Sequence, residues 1–157
     1  MPDESVPGVG DLAGVGQRVV ARLIDAIIMV PILLIFVGGA IAKSIDGDGS
    51  PNTGALLVGG LVATAIGAAY EILMVNKFGA TIGKRVMKIR VAQLSNGAIP
   101  DMTTSVKRWL PNIVGVIPKI GSPLSTLIFV ASLVLVFTDA KRQSVNDKFA
   151  NTVVIRL

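Results

Sequence analysis

The sequence has no cysteine and no histidine, and only 4% of its residues are aromatic. Without cysteine there is no disulfide and no thiolate nucleophile, and without histidine there is no imidazole base and no histidine-type metal site. Only carboxylates and hydroxyls remain to do chemistry, which removes most familiar catalytic constellations. We therefore predict that the chain is not an enzyme and that it has no catalytic residues, no metal and no cofactor.

Long polar stretches are also scarce. Of the 157 residues, 52% are hydrophobic, and they fall in long blocks separated by short polar stretches, as expected when lipid is the solvent. Residues 1–18 contain proline, glycine and acids but no apolar core, so we do not expect a cleavable signal peptide. The first apolar block is then an uncleaved anchor, and the pattern predicts an integral membrane protein.

Two apolar blocks are long enough to cross a bilayer as helices. Residues 19–42 would extend about 36 Å and residues 55–75 about 31 Å, against a hydrocarbon core of about 30 Å. The last third is weaker, because Pro111 and Pro118 interrupt its first part. We predict a short hydrophobic hairpin from helices over 108–120 and 122–138, which gives three or four membrane segments in all.

The distribution of positive charge predicts the topology. The loop over residues 76–107 is strongly basic and contains a single acid, Asp101, whereas the connection between the first two helices carries Asp46 and Asp48. By the positive-inside rule the basic loop is cytoplasmic. We therefore predict a multi-pass protein of the cell membrane, with a cytoplasmic tail over 1–18, one membrane domain over 19–157, and both termini in the cytoplasm.

Two cytoplasmic segments alternate in the manner of β-strands. Met87 to Leu94 and Thr152 to Leu157 are both rich in valine and isoleucine. They predict a small two-stranded pairing of loop and tail. The predicted fold class is therefore all-α integral membrane, with two full transmembrane helices, the C-terminal hairpin and this small pairing.

Three charged residues lie inside the two predicted transmembrane helices. Arg22 and Asp25 are three residues apart and share one face of the first helix, and Glu71 lies at a similar depth on the second. A charge in the middle of a membrane helix costs roughly 2.5 to 3.5 kcal/mol, so we predict a buried cluster between the helices. Two carboxylates that share one arginine favour proton exchange at one of them. The alternative is that the cluster only fixes helix pairing.

A basic cluster follows the second helix, in the stretch GATIGKRVMKIR. Its glycines and lysine are similar to those of a phosphate-binding loop, but the spacing is one residue too short and no serine or threonine follows the lysine. Juxtamembrane basic residues instead attract anionic lipid headgroups, at about 1 kcal/mol each. The residues predicted to bind lipid headgroups or a partner are Lys84, Arg85, Lys88 and Arg90. We expect no nucleic-acid partner.

Three segments, in this order, resemble the RDD family, which is named for one arginine and two aspartates. They are QRVVARLIDAII, GATIGKRVMKIRV and DAKRQSVNDKFANTVVIRL, and they extend from Gln17 almost to the end of the chain. The resemblance implies that Arg22 is the family arginine and that Asp25 and Asp147 are its aspartates. The family's role is largely unassigned, although some members are linked to monovalent cation/proton antiport.

Two functions therefore compete. The first is monovalent cation/proton transport, with Arg22, Asp25, Glu71 and Asp147 as the ion-handling or proton-handling candidates. So few helices do not enclose a pathway alone, which predicts a homo-oligomer or a membrane-protein partner. The second is a non-transporting scaffold or accessory subunit that binds anionic lipid or a partner protein. Ion movement in liposomes distinguishes the two.

Overall fold

The computed structural model describes residues 5–6, 9–44, 53–117 and 120–157. The predicted acidic connection with Asp46 and Asp48, and the predicted interruption at Pro118, lie outside the described residues. In chain order the elements are β1 (Ser5–Val6), β2 (Gly10–Asp11), α1 (Val15–Ser44), α2 (Thr53–Phe78), α3 (Ile82–Val86), β3 (Ile89–Gln93), α4 (Met102–Trp109), a 3₁₀ helix (Leu110–Val116), α5 (Gly121–Thr138), α6 (Val145–Phe149) and β4 (Thr152–Arg156).

Three helices of the described chain are long and apolar enough to span a membrane. They are Val15–Gly39 within α1, Leu57–Phe78 within α2, and the whole of α5. The predicted integral membrane fold is thus confirmed. Helices α1 and α2 extend beyond the predicted bounds of 19–42 and 55–75 at both ends.

The first arm of the predicted hairpin is not a single helix over residues 108–120. Helix α4 ends at Trp109, and the chain continues as the 3₁₀ helix. Pro111 explains the change, because it has no N–H to donate to the α-helical ladder and its ring clashes with the carbonyl one turn earlier. The chain therefore carries three α-helical spans in its described part, with a tighter, shorter arm before the third.

Gly121 closes this hairpin. A Cβ atom at Gly121 would lie 2.7 Å from the carbonyl oxygen of Val114 and 2.8 Å from that of Gly115. Only glycine allows the 3₁₀ helix and the start of α5 to approach so closely. Helix α5 then returns to end at Thr138, and α6, which follows it, packs against both α4 and β4.

The two predicted strands pair as expected. Strands β3 and β4 are antiparallel, with Ile89 opposite Arg156 and Gln93 opposite Thr152, which confirms the predicted pairing of loop and tail. A further bridge joins Leu12 to Ile155, so the segment before α1 lies along the outer edge of β4. This segment is part of the packed structure, and α1 begins at Val15 and not at residue 19.

Both faces of this small sheet are buried, because successive strand residues point to opposite sides. One face packs onto the helix ends, through a cluster of Ala13, Ala21, Val75, Ile89, Val91 and Val154. The other face is covered by the N-terminal segment, through Leu12, Ala92, Val153 and Ile155. We call the region formed by β3, β4, α3, α4 and α6 the sheet end. The start of α1 packs against it through α3, and the ends of α2 and α5 pack against it through α4 and α6.

Candidate functional site

Helix α3 lies directly on the backbone of α1, and Gly83 makes this possible. A Cβ atom at Gly83 would lie 2.0 Å from the carbonyl oxygen of Ala21 and 3.0 Å from Cγ of Asp25. No side chain fits between the two helices at this point. The glycines that resemble a phosphate-binding loop in the sequence therefore serve, at Gly83, a close contact between helices.

Asp25 holds this contact in place. Its carboxylate accepts hydrogen bonds from the Tyr70 hydroxyl at 2.8 Å, from the Gly83 N–H at 2.8 Å and from the Thr81 hydroxyl at 2.6 Å. Asp25 is only 6% exposed. Its partners come from α2, from α3 and from Thr81, which directly precedes α3, and not from Arg22. Within the described residues Asp25 therefore joins α1, α2 and α3 without an ion pair.

Asp147 is the centre of a second buried cluster. One carboxylate oxygen lies 2.8 Å from Nη1 of Arg108, and the other lies 3.3 Å from Nη1 of Arg18. The second oxygen also accepts hydrogen bonds from the N–H and hydroxyl of Ser144 at the start of α6. Burial alone would raise the pKa of Asp147, but the two guanidinium groups and Ser144 outweigh it and hold the pKa below its usual range.

The predicted cluster of Arg22, Asp25 and Glu71 is divided in the structure. Arg22 lies 3.6 Å from Glu71, and Glu71 is buried, but Asp25 is bonded elsewhere. The contact between Arg22 and Glu71 is loose, because more than half of the arginine side chain is exposed and the near oxygen of Glu71 has no hydrogen-bond partner in the described residues. The sharing of one arginine by two carboxylates is therefore not observed.

Lys84 differs from the other basic residues of its segment. Arg85 and Lys88 are exposed and Arg90 is half-buried, as expected for contact with a surface, whereas Lys84 is 5% exposed. Its Nζ atom has no hydrogen-bond partner anywhere in the described chain. Burial, with a smaller contribution from the charge of Arg108, lowers the pKa of Lys84 to about 7.

A groove opens beside these groups, between α1 on one side and the 3₁₀ helix and α5 on the other. Its volume is about 650 Å³. Four basic residues line it at the sheet end, and Asp147 lies among them. These residues are Arg18, Arg22, Lys84 and Arg108. We call this cavity the cationic groove.

Charge in the cationic groove is not balanced. Four basic residues line the groove, and the carboxylates near them are Asp147 and Glu71, which lies beside Arg22. Two positive charges therefore remain uncompensated when Lys84 is protonated. Arg108 also keeps donors to spare, since neither Nε nor Nη1 makes a hydrogen bond of good geometry in the described residues, although Nη1 lies near Asp147. A buried cation without a partner is costly, and Lys84 is such a cation in the described residues, so the geometry is suited to an added anion.

Sequence reasoning missed four of these residues. Arg18 was just outside the predicted first helix, yet it precedes Asp25 by seven residues, two helical turns on the same face. Arg108, Tyr70 and Thr81 reach the site only through tertiary packing, which no local pattern reveals. Among the described residues, no three carboxylates come together in a way that could hold a metal ion.

Three apolar spans joined to a basic end with its own small sheet define a polytopic helical membrane protein. The RDD family model matches residues 12–151, and the chain belongs to this family. The resemblance given by the three sequence motifs is thereby confirmed. No curated protein and no solved structure matches the chain.

Proposed function

We propose that this RDD family protein is a non-transporting membrane module that binds an anionic ligand in the cationic groove. The observation that carries the proposal is the buried Lys84 ammonium without a hydrogen-bond partner in the described residues, beside Arg22 and Arg108. An anion would supply the missing acceptor for Lys84 and for the free donors of Arg108. It would also offset the uncompensated positive charge.

The same charges argue against a monovalent cation as the ligand. A sodium ion in the groove would meet four basic residues, and the two carboxylates present already face arginines. Asp25, the remaining candidate for ion handling, has its carboxylate oxygens occupied by three donors. Groups that are paired in this way support packing more readily than ion exchange.

Proton-linked transport remains the second candidate, and one observation favours it. A lysine with a pKa of about 7 exchanges its proton near neutral pH, and Lys84 lies close to Glu71 at the membrane boundary. This function predicts that an imposed sodium or potassium gradient drives proton movement in liposomes containing the protein. The anion-binding module predicts no such movement above that of protein-free liposomes.

The orientation of the sheet end is also a proposal. We infer that the sheet end lies on the cytoplasmic side of the cell membrane, since it contains the basic loop and the basic tail. The exposed residues Arg85 and Lys88, with the half-buried Arg90, are then close to the headgroups of the inner leaflet.

Sulfate provides a direct test of the anion site, because it stays doubly charged near neutral pH. We expect sulfate to raise the melting temperature of the detergent-solubilised protein more than chloride does at equal ionic strength, since a ligand that binds only the folded state stabilises it. Lys84→Gln should weaken sulfate binding about tenfold or more. Thermal unfolding over a sulfate titration measures both effects.

Lys107→Gln is the matched control, because it removes the same charge from an exposed residue that does not line the cationic groove. It should keep the response to sulfate. If Lys84→Gln responds to sulfate as strongly as the wild type, the groove is not an anion site and the proposal is wrong.

Sulfate binding should also depend on pH in a defined direction. Below about pH 7 Lys84 is charged and attracts the anion, and above this value it becomes neutral, so the sulfate effect should fall as the pH is raised from about 6 to about 8. The groups that face Lys84 are Arg22 of α1, Glu71 of α2, Arg108 of α4 and Asp147 of α6. The arginines keep their charge throughout this range. Lys84→Gln should abolish the pH dependence. This result would distinguish the contribution of Lys84 from any contribution of Glu71.

A further inference from the structure

We propose that the anion in the cationic groove belongs to an anionic membrane phospholipid, with its phosphate at Lys84 and an acyl chain along α5. This inference rests on the proposed function and names the ligand. Two features of the groove carry it: a wall that is mostly apolar away from the basic end, and a position at the edge of the membrane spans.

The wall of the groove is made by membrane-spanning helices. Val19 and Leu23 of α1, with Phe129 of α5, line the groove and are 42%, 58% and 63% exposed. In a bilayer, exposed apolar side chains on such spans face acyl chains. The groove is therefore open on the side where lipid lies, and a soluble anion would leave this apolar wall without a partner.

The dimensions fit one leaflet. The part of α5 that lines the groove runs from Ser125 to Val136, which is about 17 Å along a helix. Half of a hydrocarbon core is about 15 Å. Val136 lies at the sheet end with Lys84 and Arg108, so a chain along α5 would start at the basic groups and end near the middle of the bilayer.

The charge of the groove also selects among lipids. A zwitterionic headgroup would bring a quaternary or primary ammonium close to four basic residues. Like charges repel more strongly there than in water, because the effective dielectric constant is lower. Phosphatidylglycerol and phosphatidic acid carry no such ammonium. The groove should therefore retain these lipids and reject phosphatidylcholine.

Native mass spectrometry of the full chain, released from vesicles of equal parts phosphatidylglycerol and phosphatidylcholine, tests this inference. We expect phosphatidylglycerol to be retained in preference to phosphatidylcholine. Lys84→Gln should lower the retained phosphatidylglycerol about tenfold, whereas Lys107→Gln should not change it. Equal retention of the two lipids by the wild type would overturn the inference.

A second pair of variants tests the acyl-chain wall. Ser132→Trp fills the groove from α5, and Val130→Trp places the same side chain on the same helix outside the groove. Only Ser132→Trp should lose the lipid. If both variants retain as much phosphatidylglycerol as the wild type, while Ser132→Trp alone runs as a smaller species in detergent, a second copy of the chain covers the groove and the inference is wrong.

The two proposals fail in different ways. If sulfate stabilises the protein through Lys84 but no phospholipid is retained, the groove binds a soluble anion and only the lipid inference is overturned. If Lys84→Gln changes neither the stabilisation by sulfate nor the amount of phosphatidylglycerol retained, both proposals are wrong.

Discussion

Replacing Gly83 with alanine should prevent α3 from packing against α1. The new Cβ atom would lie 2.0 Å from the carbonyl oxygen of Ala21. No change of rotamer can remove this clash, because the backbone fixes the positions of both atoms. Overpacking a core usually costs about 1–3 kcal/mol, and a clash with backbone lies at the upper end of this range or beyond it. We expect a loss of about 3 kcal/mol in the free energy of unfolding, or a failure to accumulate folded protein. Denaturant titration in mixed micelles measures the loss.

Gly67→Ala is the control for this prediction. The same methyl group is added to α2, where a Cβ atom would meet nothing within 4 Å. Alanine also favours the helix by about 0.8–1 kcal/mol relative to glycine, so the free energy of unfolding should stay the same or rise. An unchanged free energy for Gly83→Ala would show that α3 does not lie on α1 in this way.

Replacing Asp147 with asparagine should have a comparable effect for a different reason. Asp147 is 1% exposed and is the common partner of Arg18 and Arg108, and the variant leaves both arginines buried without a counter-charge. Removing one member of a buried ion pair typically costs about 3–5 kcal/mol. The expected loss is at the upper part of this range, since two cations are left instead of one. The same denaturant titration provides the value.

Asp101→Asn is the matched control for Asp147→Asn. Asp101 caps α4 by accepting a hydrogen bond from the N–H of Thr104, and asparagine caps a helix about as well. The free energy of unfolding should hardly change. A similar loss in both variants would mean that the arginines do not depend on Asp147.

The ion pairs of Asp147 also predict a dependence on pH. Because its pKa is lowered in the folded protein, its contribution to stability is present above the ordinary carboxyl pKa of about 4 and is lost as the pH falls below it. The wild type should therefore lose stability on acidification more steeply than Asp147→Asn does. If the free energy of unfolding falls in parallel for the two proteins as the pH is lowered, Asp147 does not form these ion pairs.

The sequence was sufficient to predict the membrane spans and the sheet. Both depend on local patterns: long apolar runs for α1 and α2, and alternating β-branched residues for β3 and β4. The hairpin was predicted only in part. Proline marked the point where the α-helix ends, but the 3₁₀ helix depends on the close packing of Gly121 against Gly115, which is a tertiary contact.

The candidate site was predicted less well, because it is built from residues far apart in the chain. The burial of Asp25 and Glu71 followed from their position in apolar helices, but their partners did not. Tyr70 reaches Asp25 through the packing of α2 on α1, and Thr81 reaches it through the packing of α3 on α1. Lys84 stood in a run of similar basic residues, and only the fold distinguishes it as the buried one.

The contact between the Lys84 ammonium and an anion is the claim on which the functional account depends. Solid-state NMR of protein with ¹⁵N-labelled lysine side chains, reconstituted in phosphatidylglycerol, measures it directly through dipolar contacts to lipid phosphorus. The lysine signal that disappears in Lys84→Gln should show a phosphorus contact in the wild type. The same signal without any phosphorus contact, in a bilayer rich in phosphate and with inorganic phosphate added to the buffer, would contradict the account.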